Sequence, residues 1–217
     1  MLLLTCCALC RALCRGTLCP PCMVDVERLR VVVACPQCAA PTDGLCGVCI
    51  KQPPAFDCTV AALCYLPPLT MLVQYFKFYG SWQLAELLAS FAVAPAADVM
   101  LPVPLHPTRE SWRGFNQARE LAKMLPSPAP PLRDDWLRRV VDTLPQTRQT
   151  NVAARRRNVK GAFTVAAAVR GRRVLVVDDV MSSGATMQEI AKVLKKAGAA
   201  KVINLIIART VPKKSTL

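Results

Sequence analysis

The clearest pattern of apolar and polar positions lies in the last quarter of the chain. Val174–Val177 is an unbroken apolar run, as in a strand buried on both faces. Asp178 and Asp179 follow, then Val180 and Met181, then a small-residue turn of Ser182, Ser183, Gly184, Ala185 and Thr186. Beyond the turn, Met187, Ile190, Ala191 and Leu194 recur at helical spacing, while Gln188, Glu189, Lys192 and Lys195 take the other face. Lys195 and Lys196 occupy the last turn and Gly198 supplies a stop. Val202–Ala208 is again a buried-type strand. Upstream, Val60–Tyr65 reads as a first strand after a proline-rich linker, and Leu69–Phe78 and Trp82–Val93 read as helices. Val99–Val103 reads as a short strand, followed by a loop from Leu105 to Gln117 and a helix from Ala118 to Leu125. Strands alternating with helices predict an α/β fold with a mostly parallel sheet and a ligand at the strand C-termini.

A strand, a small-residue turn and a helix start make an anion site. Unpaired backbone N–H groups and the positive end of the helix dipole face the turn. Small side chains at 182–186 admit a ligand close to that backbone, and hydroxyls add donors. Asp178 and Asp179 suit a neighbouring diol or a divalent cation, so the whole set matches a phosphorylated sugar. No Lys follows Gly184, which excludes a Walker A loop. The predicted loop at 105–117 carries Arg109, Arg113, Asn116 and Gln117, the cationic forks and amide donors that a pyrophosphate needs. His106, the one histidine, is read as solvated or catalytic, the former being the commoner case. Lys77, basic among apolar neighbours, either reaches a site or lays its stem along the core.

Ten of the twelve cysteines fall within residues 6–49. Four C-x-x-C knuckles are present: Cys7/Cys10, Cys19/Cys22, Cys35/Cys38 and Cys46/Cys49. Each aims two thiolates at one point, and two knuckles complete a closed S₄ site for a structural zinc ion. Pairing in sequence order gives two compact sites, an interleaved pairing is the alternative, and Cys6 and Cys14 are spare. A disulfide framework is the rival reading and requires an oxidising compartment. Cys58 and Cys64 read as inert core thiols.

Composition changes this picture in one respect. The 217 residues are 53% hydrophobic, ample for one domain with a small appendage, and the formal net charge is +14. Eight zinc-bound thiolates and two Zn²⁺ would lower it to roughly +10. Ten basic residues and one acidic residue lie between Arg138 and Arg173. Such a balance suits a polyanion, nucleic acid first, and equally suits a small phosphorylated substrate. That basic stretch holds almost no aromatic residue for base stacking. Leu84–Pro104, the longest apolar region, is broken by Glu86, Pro95 and Asp98 and is no clean membrane span. MLLLTCCALC lacks a basic segment before its leucines, so the expected location is the cytoplasm.

Residues 174–186 closely resemble the 5-phosphoribosyl-1-pyrophosphate (PRPP) signature of type I phosphoribosyltransferases. The order of further motifs narrows the resemblance. Four cysteine knuckles come first, then Lys77-Phe78, Pro102–Leu105, Arg113–Ala118, the spaced set Arg155, Asn158, Ala162 and Phe163, and finally the aspartate loop. This order, from about Cys7 to Arg209, resembles the ComF family, competence-associated and GntX-type proteins with an N-terminal double zinc ribbon. The resemblance implies a ribbon module at 1–52 and a phosphoribosyltransferase-like, Rossmann-like domain at 53–217, with a flexible basic hood at about 138–163. It implies that Ser182, Ser183, Gly184, Ala185 and Thr186 bind the 5-phosphate. Asp178 and Asp179 would hold the ribose hydroxyls or a bridging Mg²⁺ and serve catalysis, with Arg109 and Arg113 near the pyrophosphate. The implied function is Mg²⁺-dependent phosphoribosyl transfer to an unidentified acceptor. The alternative is single-stranded-DNA handling with DNA-uptake or helicase proteins, the PRPP site being kept as a sensor. No general base stands out.

Overall fold

The computed structural model describes residues 4–79, 82–142, 159–165 and 169–211. Its centre is a four-stranded parallel sheet in the order β3-β8-β7-β4, formed by β3 (Cys58–Cys64), β4 (Val99–Pro102), β7 (Arg173–Met181) and β8 (Lys201–Arg209). The continuous apolar runs of β7 and β8 place them centrally, where both faces are covered. One face packs against α3 (Leu69–Tyr79), α4 (Trp82–Ser90) and α6 (Gln117–Lys123) through Leu175, Val177, Leu205 and Ile207. The other packs against α7 (Ala185–Lys196) through Val174, Val176, Val202 and Ile206. Met187, Ile190, Ala191 and Leu194 of α7 are all buried, as their spacing predicts, and Gly198 closes the helix at φ 92°. A short antiparallel pair, β5 (Leu137–Arg139) with β6 (Phe163–Val165), lies beside α7.

The cysteine-rich segment contributes β1 (Thr5–Cys6), β2 (Leu13–Cys14), α1 (Pro20–Glu27) and α2 (Gly47–Lys51). It is packed into the sheet and straddles it. Cys7, Cys14, Cys19 and Val26 join the core on the α3–α4 face, whereas Cys35, Cys38 and Cys49 join the core on the α7 face. Between them the chain crosses the edge of β3. Val31 N–H donates to the Ala62 carbonyl (3.1 Å) and Cys64 N–H donates to the Leu29 carbonyl (2.7 Å). The opposite edge is covered by residues 131–133, where Met100 N–H meets the Pro131 carbonyl (2.8 Å) and Arg133 N–H meets that of Met100 (2.9 Å). Both edges of a small sheet are thereby paired and closed to strand addition.

Two elements differ from the sequence-based expectation. The stretch 105–117 is no simple loop, because α5 (Pro107–Arg113) forms within it. His106 is its N-cap, Pro107 supplies a first residue with preset φ, and Gly114 ends it in the left-handed region (φ 83°). The strand at 174–177 also runs further, through both aspartates to Met181, since Asp178 pairs with Ile206 and Met181 with Arg209.

Leu205 is fully buried in the central strand β8. Leu205→Ala is expected to lower stability by about 2–5 kcal/mol, read as a reduced urea midpoint with an unchanged slope.

Candidate functional site

The last residues of β7 carry the carboxylates. Asp179 is buried and its Oδ2 lies 2.9 Å from Lys77 Nζ, so α3 delivers a cation to the strand end. Its Oδ1 accepts from the Val180 N–H (2.6 Å), and Asp178 Oδ1 accepts from the Asp179 N–H (2.9 Å). Burial raises the Asp178 carboxyl to about 7, the charge of Asp179 adds to the rise, and Lys77 opposes it. For Lys77, burial disfavours the charge, yet attraction and hydrogen bonding to Asp179, with attraction to Asp178, raise its pKa.

Three arginines complete the surroundings. Burial lowers the Arg113 pKa, Asp179 attraction opposes that fall, and Arg109 repulsion adds to it. Arg113 Nη1 donates to Gln117 Oε1 (2.7 Å), while its Nε has no hydrogen-bond partner among the described residues. Arg139 of β5 is buried over the Phe163 ring, 5.5 Å from its centroid. Its pKa is lowered by burial and then by Arg109 repulsion, with Asp178 and Asp142 attraction opposing. Arg109 Nε lies 3.4 Å from Asp142 and His106 Nδ1 lies 3.9 Å from it. α5 thus brings Arg113 within the field of Asp179 and sets Arg109 beside Asp142, close to Arg113 and Arg139.

Asn116, expected among the anion donors, is a structural cap. Its Oδ1 accepts from the Ala118 (3.0 Å) and Arg119 (3.4 Å) N–H groups, and its Nδ2 donates to the Val103 carbonyl (3.1 Å).

The turn after β7 is shorter than expected: Ser182, Ser183 and Gly184, with Ala185 and Thr186 already in the first turn of α7. Gly184 is the N-cap at φ 73°, and no side chain caps the helix. A Cβ on Gly184 would lie 2.7 Å from Met181 Cε. The turn forms one wall of a cavity of about 1050 Å³ whose opposite wall is the second cysteine cluster.

The cysteines assemble in sequence order into Cys7/Cys10/Cys19/Cys22 and Cys35/Cys38/Cys46/Cys49, each with all four sulfurs within 4.8 Å. Both sites join a knuckle to a helix start. Cys19 caps α1 and Cys46 caps α2, while Arg11 (φ 66°) and Ala39 (φ 52°) close the knuckles in the left-handed region. The Cys10–Cys19 and Cys38–Cys46 sulfurs are 3.5 and 3.6 Å apart. Four Zn–S bonds of ~2.3 Å at tetrahedral angles set sulfurs about 3.8 Å apart, whereas a disulfide requires ~2.05 Å. The donor sets fit zinc. Burial opposes ionisation of Cys7 and Cys35, yet main-chain N–H groups hold both thiols down to about 6. Cys6 and Cys14 lie outside both clusters. Cys58 and Cys64 are half-buried on β3, and burial raises both pKa values.

Sequence reasoning left Lys77 undecided and missed Arg139 and Arg209. The signal for Arg209 was a charged residue directly after the apolar run of β8. The motif residues Arg155 and Asn158, and with them positions 143–158 of the expected hood, lie outside the described residues.

Two predictions follow from this geometry. Gly184→Ala places an L-residue in the left-handed region and should cost about 1–2 kcal/mol, measured by urea unfolding. For Asp178, a folded carboxyl near 7 against ~3.9 in the unfolded chain stabilises the protein fully below the unfolded value. That contribution falls as pH rises through the folded value. Asp179→Asn removes the like charge, so carbon-detected NMR titration should show the Asp178 carboxyl shifted down, with a smaller loss of stability over the same pH range.

Comparison with known proteins agrees with the geometry. The phosphoribosyl transferase domain family model matches residues 113–215. The chain is 34% identical over 221 residues to the DNA utilization protein YhgH of Salmonella typhi, covering 94% of this chain and 96% of that protein. It is 34% identical over 172 residues to Competence protein F of Haemophilus influenzae, covering 72% and 75% respectively. Among solved structures, glutamine PRPP amidotransferase from B. subtilis shares 26% identity over 57% of this chain and 25% of that one, with a TM-score of 0.37. With the parallel sheet, the aspartate strand and the two Cys₄ clusters in place, the chain belongs to the ComF family of phosphoribosyltransferase-fold proteins.

Proposed function

We propose that the protein binds PRPP at the end of β7 and transfers its phosphoribosyl group to an acceptor. The observation that carries this reading is the Asp178–Asp179 pair beside an uncapped helix start, with Lys77, Arg109, Arg113 and Arg139 gathered around the carboxylates. The 5-phosphate sits against Ser182, Ser183, Gly184, Ala185 and Thr186, where the helix dipole and main-chain N–H groups favour an anion. The aspartates hold the ribose 2- and 3-hydroxyls. Arg109 and Arg113 neutralise the pyrophosphate as the C1–oxygen bond breaks and a bond from C1 to the acceptor nucleophile forms. Fixed cations in a partly dry site suit a transition state with charge on the ribosyl carbon and on the leaving group. The carboxylates fit a Mg²⁺ ion, which would carry further positive charge to the pyrophosphate.

The eight clustered cysteines hold two structural zinc ions in a module spanning 1–52, ahead of the transferase domain at 53–217. Reduced thiolates of this kind favour the cytoplasm as its location. Among the described residues no helix is long and apolar enough to cross a membrane.

A second reading, DNA handling, is favoured by the names of the relatives and by specific surface residues. Trp112 and Phe78 are 76% and 64% exposed, and Arg138, Lys160, Arg170 and Arg172 are exposed as well, the combination of aromatic faces and cations that single strands use. Calorimetry of zinc-replete protein should show Mg²⁺-dependent PRPP binding, lost in the Asp178→Asn/Asp179→Asn double variant. Single-stranded DNA affinity, read across a salt series, should survive that double change. PRPP binding that persists in the variant would overturn the site assignment.

A further inference from the structure

We infer that Arg209 is the positioning residue that fastens the phosphate loop to the second Cys₄ unit, so that metal in that unit governs how well the loop binds an anion. The inference rests on the reading of residues 182–186 as an anion site.

Arg209 is the last residue of β8, and it is buried. Its Nε donates to the Cys38 carbonyl at 2.8 Å. Its Nη1 donates to the carbonyls of Met181 at 3.1 Å and Ser182 at 2.5 Å. None of these acceptors is a carboxylate. A buried cation without a counter-ion is costly unless its donors are used, and an apolar side chain would pack at the end of β8 without that cost. The guanidinium therefore has work that packing does not require.

Peptide planarity shows what that work is. In a trans peptide the C=O and the following N–H point in opposite directions. Drawing the Met181 and Ser182 carbonyls toward Arg209 turns the Ser182 and Ser183 N–H groups away from it, outward from the turn. An anion loop needs its N–H groups aimed together before the ligand arrives. Arg209 holds the Ser182 peptide from behind and shares the Met181 carbonyl with the Thr210 N–H (3.1 Å).

The other end of the clamp is the metal unit. Cys38 belongs to the second cluster, and its knuckle is closed by Ala39 N–H on the Cys35 carbonyl and Cys35 N–H on the Ala40 carbonyl, both 2.8 Å. A metal on the four sulfurs fixes the Cys38 carbonyl, and Arg209 relays that position to the loop across one residue. Both parties also wall the same cavity, Cys38, Cys46 and Cys49 on one side and Met181, Ser182 and Gly184 on the other. The first cluster packs in the core on the opposite face of the sheet.

The test is a double-mutant cycle on the full chain with Arg209→Lys, which keeps the charge and loses the fork, and Cys46→Ser, which breaks the second metal site. Zinc content, hydrogen exchange of the 182–186 amides and PRPP affinity are measured for all four proteins. Arg209→Lys should retain both zinc ions, accelerate exchange at 182–186 and weaken PRPP about tenfold. Cys46→Ser should lose one zinc ion and give a similar acceleration and weakening. The double variant should be no worse than either single one. Additive effects, or wild-type exchange in Arg209→Lys, would overturn the coupling. Arg209→Gln, which retains two donors, serves if the lysine variant does not fold. If wild-type protein binds no PRPP, the functional reading fails, while the ligand-free exchange cycle still decides whether Arg209 couples metal to loop.

Discussion

Two adjacent carboxylates near the end of a doubly buried strand are the constraint to which the rest of the structure answers. Like charges this close cannot both ionise freely away from water. The fold relieves them unequally. Asp179 receives Lys77 at 2.9 Å, and the Asp178 carboxyl moves up to about 7. The four cations nearby come from three segments: Lys77 from α3, Arg109 and Arg113 from α5, and Arg139 from β5. Those three segments must meet over the C-terminal ends of the strands. The Phe76–Phe115 ring contact at 5.7 Å joins the first two of these regions.

A four-stranded sheet leaves two edges and two faces to close, and the cysteine-rich segment closes much of both. Units this small cannot build cores of their own and need metal cross-links. Here they also share the larger core, one unit on each face, with the intervening chain paired along β3. The Cys₄ units and the sheet thus pack as one body. A metal held by either Cys₄ unit would consequently bear on the sheet as well as on the N-terminal segment.

The parts legible in the sequence were those where one local signal had one physical meaning. Four apolar residues before two aspartates read as a buried strand leading to a loop, and the C-x-x-C pairs marked metal-type knuckles, although which knuckles join was open until the fold brought them together in sequence order. The uninterrupted spacing of Met187, Ile190, Ala191 and Leu194 fixed the buried face of α7. Less legible was α5, whose stretch 107–113 shows no apolar stripe; only Pro107 and Gly114 mark its ends. Arg139 and Arg209 were hidden for another reason. Each is one basic residue among many in a chain of net charge +14, and what sets it apart is burial, which depends on elements distant in sequence. Asn116 was misread because an amide that caps a helix and one that binds an anion look alike until its partners are known.

Burial also separates the two ways this chain can use its positive charge. A polymer backbone is tracked by exposed cations on long, hydrated side chains, as Arg138, Lys160, Arg170 and Arg172 are. Arg139 is buried, and Lys77, Arg109 and Arg113 are held partly buried against carboxylates. Cations in such places interact strongly with a ligand small enough to enter, because little water screens them. They contribute little to a duplex or strand lying across the surface. The desolvation that lowers the pKa of Arg113 and Arg139 would be waste in a protein that only held a polymer. It is accounted for if a compact phosphorylated sugar is the ligand at the end of β7, with any nucleic acid engaged by the outer set.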